Sequence, residues 1–116
     1  MDSTFEWAEG LDCAVTVCDA DAVIIYQNRK ARKQYEAHGD LIGRNLMDCH
    51  NERSQAIIRH ILATGESNSY TITKNGCNKF IHQAPWLTAD GRIAGIVEIS
   101  APPPAPPPPP PPPRSP

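Results

Sequence analysis

Cys49 and His50 stand side by side near the middle of the chain and are the residues best equipped for chemistry. A thiolate and an imidazole both ligate haem iron or zinc. Neighbours along a backbone point in different directions, so the two do not by themselves form a nucleophile–base pair. His82 offers a further imidazole, and Cys13, Cys18 and Cys77 offer further thiols, but no two cysteines have C-x-x-C spacing. Ser-His-Asp order, metal-hydrolase spacing and a phosphate-cradling glycine loop are all absent. The sequence therefore predicts no enzyme and no metal centre, and leaves a site that anchors a small molecule or cofactor.

Length and charge narrow the class. The chain has 116 residues with 13 prolines, most of them crowded into the stretch after Ser100. About a hundred residues remain, enough for one domain with a modest core. The formal net charge is −2, with both signs interspersed. No basic stripe exists to release counterions, so a nucleic-acid partner is not expected. No apolar run is long enough to span a bilayer and no signal segment opens the chain, so neither a membrane partner nor export is expected. These features predict a cytoplasmic protein with reduced cysteines, Cys13 and Cys18 packing as small apolar residues.

The elements that must position the site are legible in order. Ser3, with Glu6 three residues on, can cap a short helix through Gly10, with Phe5, Ala8 and Leu11 on one face. Leu11 to Cys18 and Val23 to Gln27 read as two strands around the turn Asp19-Ala20-Asp21-Ala22. Asn28 can cap a basic helix from Arg29 to Ala37, closed by Gly39. Asn45 to Asp48 reads as one helical turn. Ser54 is read as the cap of a longer helix, Gln55 to Ala63, stopped by Gly65 and carrying Ile57, Ile58, Ile61 and Leu62 as its apolar stripe. Three strands follow, Ser69 to Lys74, Lys79 to Leu87 and Arg92 to Ser100, joined by turns at Asn75-Gly76 and Asp90-Gly91. Gly95 in the last strand predicts a bulge or a close backbone approach.

Strand, Asp-turn, strand, Asn, short helix and Gly-Arg-Asn-Leu together resemble the first half of a PAS domain, with Asp19, Ile24, Tyr26, Asn28 and Gly43 at the familiar positions. Ala22 stands where that family usually has glycine, which predicts a different turn type. The later helix and three-strand meander extend the resemblance over residues 13 to 100. The expected fold is α+β, a PAS-like five-stranded antiparallel sheet with short helices and one longer helix on one face. The expected organisation is an N-terminal cap helix over residues 1–12, the domain over 13–100 and a proline-rich tail over 101–116.

The resemblance implies a cavity between the long helix and the sheet, and candidate cofactor-binding residues around it: Cys49, His50, Ile57, Ile61 and His82. Flavin photosensors of this family carry G-R-N-C-R-F-L-Q; here Gly43-Arg44-Asn45-Leu46 puts Leu46 at the reactive cysteine, so no flavin–thiol adduct is expected. Oxygen-sensing relatives place a haem-ligating His eleven residues before the helix-ending glycine, which here is Ser54. His60 lies roughly 130° from the centre of the apolar stripe, counting 3.6 residues per turn. If haem binds, Cys49 or His50 is the expected ligand; another small molecule is equally compatible. Of His82 and Gln83 one must face the helix and the other away, and the sequence does not say which.

Output is where the chain departs from the family. Glu98-Ile99-Ser100 runs straight into Pro102, Pro103 and Pro104, so an effector helix cannot start there. The tail is expected as a disordered, extended polyproline rod, serving as a stiff linker or as a docking segment for an aromatic groove. The expected function is a sensory module in signal transduction that binds a small ligand, a protein partner or both, with a homodimer or a signalling protein as partner. The alternative is a ligand-free dimerising adaptor whose tail recruits the partner.

Overall fold

The computed structural model describes residues 4–74, 76–102 and 108–114, apart from the side chains of Cys49 and Lys74. Five strands form one antiparallel sheet: β1 (Ala14–Asp19), β2 (Ile24–Gln27), β3 (Asn68–Lys74), β4 (Cys77–Leu87) and β5 (Ile93–Ala101). Their spatial order is β2-β1-β5-β4-β3, so the first and last strands in sequence pair at the centre. Between β2 and β3 run α1 (Arg29–Gln34), short 3-10 turns at Glu36–His38 and Leu46–Cys49, and α2 (Glu52–Thr64). This is the expected α+β arrangement. Among the described residues no helix is long and apolar enough to cross a membrane.

Side-chain chemistry sets the boundaries. Asp19 closes the β1–β2 turn by accepting the backbone N–H of Asp21 and of Val23 on one carboxylate oxygen, at 2.9 and 3.0 Å. Ala22 in that turn has φ +66°, the left-handed conformation that glycine fills without strain, so the turn keeps a glycine-type backbone although alanine occupies it. The long helix begins three residues earlier than expected. Asn51, not Ser54, is its cap: Asn51 Oδ1 accepts the N–H of Ser54 at 2.9 Å. The side chain of Gln55 reaches back to the carbonyls of Met47 and His50 at 3.0 and 2.9 Å, which anchors the extra turn. Gly65 ends α2 at φ +80° and donates to Ile61 O at 2.8 Å.

Two apolar clusters lie on opposite faces of the sheet. Under α2, Ile58 and Ile61 pack with Cys18, Ile24, Leu41, Leu46 and Ile96. On the other face Phe5 and Ala8 pack with Val15 and Val17, joined by Tyr26, Trp86, Val97 and Ile99. Burial pushes the Cys18 thiol up to about 11, so it is an inert core thiol. The N-terminal segment covers that second face as a short 3-10 turn, Glu6–Ala8, rather than as a helix running to Gly10. The Ala8 carbonyl accepts the Asn28 side chain at 2.9 Å, and Phe5 sits between Tyr26 and Trp86 with both ring centroids at 5.4 Å. Leu11, expected on the same apolar face, is exposed instead, and Ser3 lies outside the described residues.

Glu9 of this segment pairs with Arg32 of α1 and accepts the Tyr26 hydroxyl at 2.7 Å. The Arg32 guanidinium and then that hydroxyl hold the Glu9 carboxyl down at about 2. Burial, then the bond to Glu9, pushes the Tyr26 phenol up to about 12.

The strands otherwise follow the alternation in the sequence. β3 and β4 pair up to Lys74 and Cys77, while Asn75, half of the expected turn, lies outside the described residues. β5 extends to Ala101, which pairs with Phe80. Residues 108–114 are exposed and belong to no helix or strand; the polyproline reading of 103–107 and 115–116 falls outside the described residues.

Burial on α2 sorts its isoleucines. Ile58→Ala and Ile61→Ala are each expected to cost about 2–5 kcal/mol by transfer and cavity loss. Ile57 is only partly buried against the cluster, so Ile57→Ala should cost about 1 kcal/mol, in proportion to the apolar surface it loses. Urea unfolding of the three variants measures this, and an equal cost at Ile57 would contradict the packing described.

Candidate functional site

The register of the sheet lines up one polar side chain from every strand. Gln27 of β2 pairs with Thr16 of β1, Thr16 with Glu98 of β5, Glu98 with Gln83 of β4, and Gln83 with Asn68 of β3. Side chains alternate across a strand, and directly paired residues share a face. The row therefore runs across the sheet on the face that α2 covers, next to Cys18 and Ile96 of that core. Gln27 and Gln83 are buried.

The row is partly bonded to itself. Gln27 Nε2 donates to Thr16 Oγ1 at 3.2 Å, Asn68 Nδ2 to Gln83 Oε1 at 3.1 Å, and Gln83 Nε2 to Glu98 Oε2 at 3.4 Å. Further along β5 the Ser100 hydroxyl is buried with no hydrogen-bond partner among the described residues.

Two cavities open over this row. The first, about 440 Å³, has Thr16, Gln27 and Glu98 on its floor and Ile24, Tyr35, Leu41 and Leu46 among its walls, with His38, Arg44 and His50 also lining it. The second, about 300 Å³, lies at the start of α2 and is lined by Asn51, Arg53, Ser54, Ile57, Asn68, Tyr70 and Gln83. Apolar walls with a few convergent polar groups are the usual make-up of a small-molecule site, and both volumes sit near the lower end of the usual range.

The residues singled out from sequence are dispersed by the fold. His50 lines the first cavity. Its Nδ1 lies 2.7 Å from the Leu46 carbonyl, which can only accept. In the neutral ring the proton is therefore on Nδ1, and Nε2 carries the lone pair that a ligand or metal would use. The side chain of Cys49 lies outside the described residues. Ile57 lines the second cavity and Ile61 is buried in the core. His82 is placed on the opposite face: its neighbour in β4, Gln83, is the one that faces α2. The His82 ring bonds to Ser69 at 2.6 Å and stacks on Phe80 at 6.4 Å. His60 is exposed and bonded to Glu66. Leu46, at the position of the flavin-reactive cysteine, is a buried core residue. Among the described residues no three His, Cys, Asp or Glu side chains converge on a point.

Sequence reading missed Thr16, Gln27, Gln83 and Glu98 as a unit. Each is a polar residue at an inward position of an alternating strand, and that signal is visible only once the inward parity is known.

A family model described as PAS fold matches residues 8–103, most of the chain. No curated protein matches the sequence. Among solved structures, a C-terminal domain from Streptococcus mutans superposes with a TM-score of 0.67 at 15% identity, over 84% of this chain and 80% of that one. The PAS domain of the histidine kinase ThkA gives 0.64 at 19% identity, over 78% of this chain and 99% of that domain. The VqmA dimer of Vibrio cholerae, solved in the absence of target DNA, gives 0.64 at 19% identity, and the match spans 52% of that longer chain. At these identities the likeness is one of fold.

Proposed function

The chain belongs to the PAS-fold family, and from that premise we propose that it is a non-catalytic sensory module in signal transduction whose input is a small molecule held in the cavity over Thr16, Gln27 and Glu98. The observation that carries this reading is the cavity itself: about 440 Å³, apolar in its walls, with polar groups from β1, β2 and β5 on its floor. A purely structural core would fill that space with side chains, because buried polar groups without partners cost stability. Structures of the same fold support the reading, since they include the sensor region of a sensor histidine kinase and a VqmA bound to DPO.

Binding would act on the sheet centre. Glu98 lies in β5, which leads directly to the proline-rich tail, and Gln83 beside it reaches the second cavity. A ligand that engages Glu98 changes the partners of the row at the strand from which the chain leaves the domain. Signal output through the N-terminal segment is the other route, because that segment packs on the back of β1 and β5.

Proton–nitrogen correlation spectra of the labelled protein, titrated with a metabolite library, test the proposal. Shifts centred on Thr16, Gln27 and Glu98 are the expected result. If no compound moves these residues, and denatured protein from fresh extract releases no small molecule, the ligand-free adaptor reading replaces this one. An absorption spectrum taken alongside reports haem or flavin directly; a reversible light-induced flavin bleach would contradict the assignment of Leu46.

A further inference from the structure

We infer that the cavity is selective for a small organic cation, an amine or amidine, and that Glu98 is the residue that selects it. The inference rests on the cavity reading above and adds the chemical class of the ligand.

Donors and acceptors in the polar row do not balance at Glu98. A carboxylate offers about four lone-pair positions. Glu98 receives one bond from inside the row, from Gln83, and it is long at 3.4 Å. The sense of the Gln83 amide is fixed, because its oxygen accepts from Asn68 while its nitrogen faces Glu98. On the other side Thr16 Oγ1 accepts from Gln27, and the hydrogen bonds of the described residues include none from the Thr16 hydroxyl to Glu98. The row is therefore directed: Asn68 donates to Gln83, and Gln83 donates to Glu98. Glu98 is the terminal acceptor at the sheet centre, and it faces a cavity with apolar walls.

Among the described residues no cation pairs with it. The ion pairs among the described residues are Arg32–Glu9, His60–Glu66 and Arg92–Asp90. Arg44, His38 and His50 line the same cavity, but none pairs with Glu98. A half-buried carboxylate with one long hydrogen bond and no counter-charge is costly for the empty fold. A ligand that brings N–H donors and a positive charge removes both deficits at once. An anionic ligand of the same shape would meet the carboxylate head-on.

The test uses three planar probes of nearly the same shape and different charge: benzamidine, benzamide and benzoate, each titrated into the full chain by proton–nitrogen spectra. Benzamidine should bind most tightly, with shifts at Thr16, Gln27 and Glu98. Its advantage over benzamide should be roughly tenfold or more, the size of a charge-assisted hydrogen bond. Glu98→Gln, of the same shape, should erase that advantage while leaving benzamide binding in place. The probe series on the wild-type chain stands even if this variant folds poorly. If benzamide or benzoate binds at these residues as well as benzamidine, or if Glu98→Gln leaves the preference unchanged, the cation inference is overturned and the cavity reading survives. If none of the three moves these residues, the cation inference falls, and the cavity reading is decided separately by the metabolite titration above.

Discussion

Replacing Asn28 by alanine is expected to remove about 3–5 kcal/mol of stability, the largest effect of any single polar substitution in the domain. The Asn28 side chain is fully buried. Its Oδ1 accepts the backbone N–H of Val15 and of Ala31, both at 2.9 Å. Its Nδ2 donates to the carbonyls of Ala8 and Cys13, again at 2.9 Å. One amide thus ties the N-terminal segment, β1 and α1 together. Alanine removes all four bonds, three of them buried, although the Ala8 carbonyl keeps the Leu11 N–H at 3.2 Å, and each buried group left unsatisfied costs about 1–3 kcal/mol. Partial rescue by water brings the sum down to the stated range. Since small domains are stable by about 5–15 kcal/mol, the variant should be marginal.

Thermal unfolding measures it. At about 4–8 °C per kcal/mol for a domain of this size, the midpoint should fall by at least 12 °C. Asn28→Asp keeps the two acceptor bonds but sets a carboxylate against the Ala8 and Cys13 carbonyls, so it should also destabilise and should free the N-terminal segment first. A loss below about 1 kcal/mol for the alanine variant, the size of one ordinary hydrogen bond, would mean that the four bonds are not holding these elements.

Gly95→Ala should cost about 2–4 kcal/mol, an overpacking penalty plus one lost hydrogen bond. Gly95 of β5 pairs with Asp19 on one side and with Trp86 on the other. The Trp86 indole crosses over it, and its Nε1 donates to the Cys18 carbonyl of β1 at 3.0 Å. A Cβ at residue 95 would stand 1.9 Å from that carbonyl oxygen and 2.6 Å from the indole nitrogen. No rotamer relieves a clash with backbone, so the two central strands must part and the indole must give way. Trp86 fluorescence separates this from a general loss of stability: the folded variant should already emit at longer wavelength as the indole meets water. An unchanged emission maximum with a cost under about 0.5 kcal/mol, the level of an ordinary surface substitution, would show that the indole does not occupy the space above Gly95.

Much of this molecule was legible in the sequence because the signals are local. The Asp19 turn, the Asn28 cap, the Gly65 stop and the alternation of β3 to β5 each depend on residues within a few positions of one another. Their physics is a side chain satisfying a nearby backbone group, or a glycine permitting a left-handed turn. Where two residues could do the same local job, sequence decided less well. Asn51 and Ser54 are both good caps; Asn51 takes the role, and Gln55 fastens the added turn by reaching back to the carbonyls of Met47 and His50.

The candidate site belongs to the other category. Thr16, Gln27, Asn68, Gln83 and Glu98 come from five strands, and they meet because antiparallel register places them opposite one another. A slip of one residue would send each to the other face, and period-two alternation reads the same for either parity. Apolar clusters cover both faces of this sheet, so hydrophobicity alone could not mark the inward side. That is why His82 and Gln83 were indistinguishable by sequence, and why Val97 and Ile99 read as readily as core residues as Ile96 does. Local chemistry determined which segments become strands, helices and turns; which polar side chains share a cavity was decided only when the sheet closed in one register with α2 on one face and the N-terminal segment on the other.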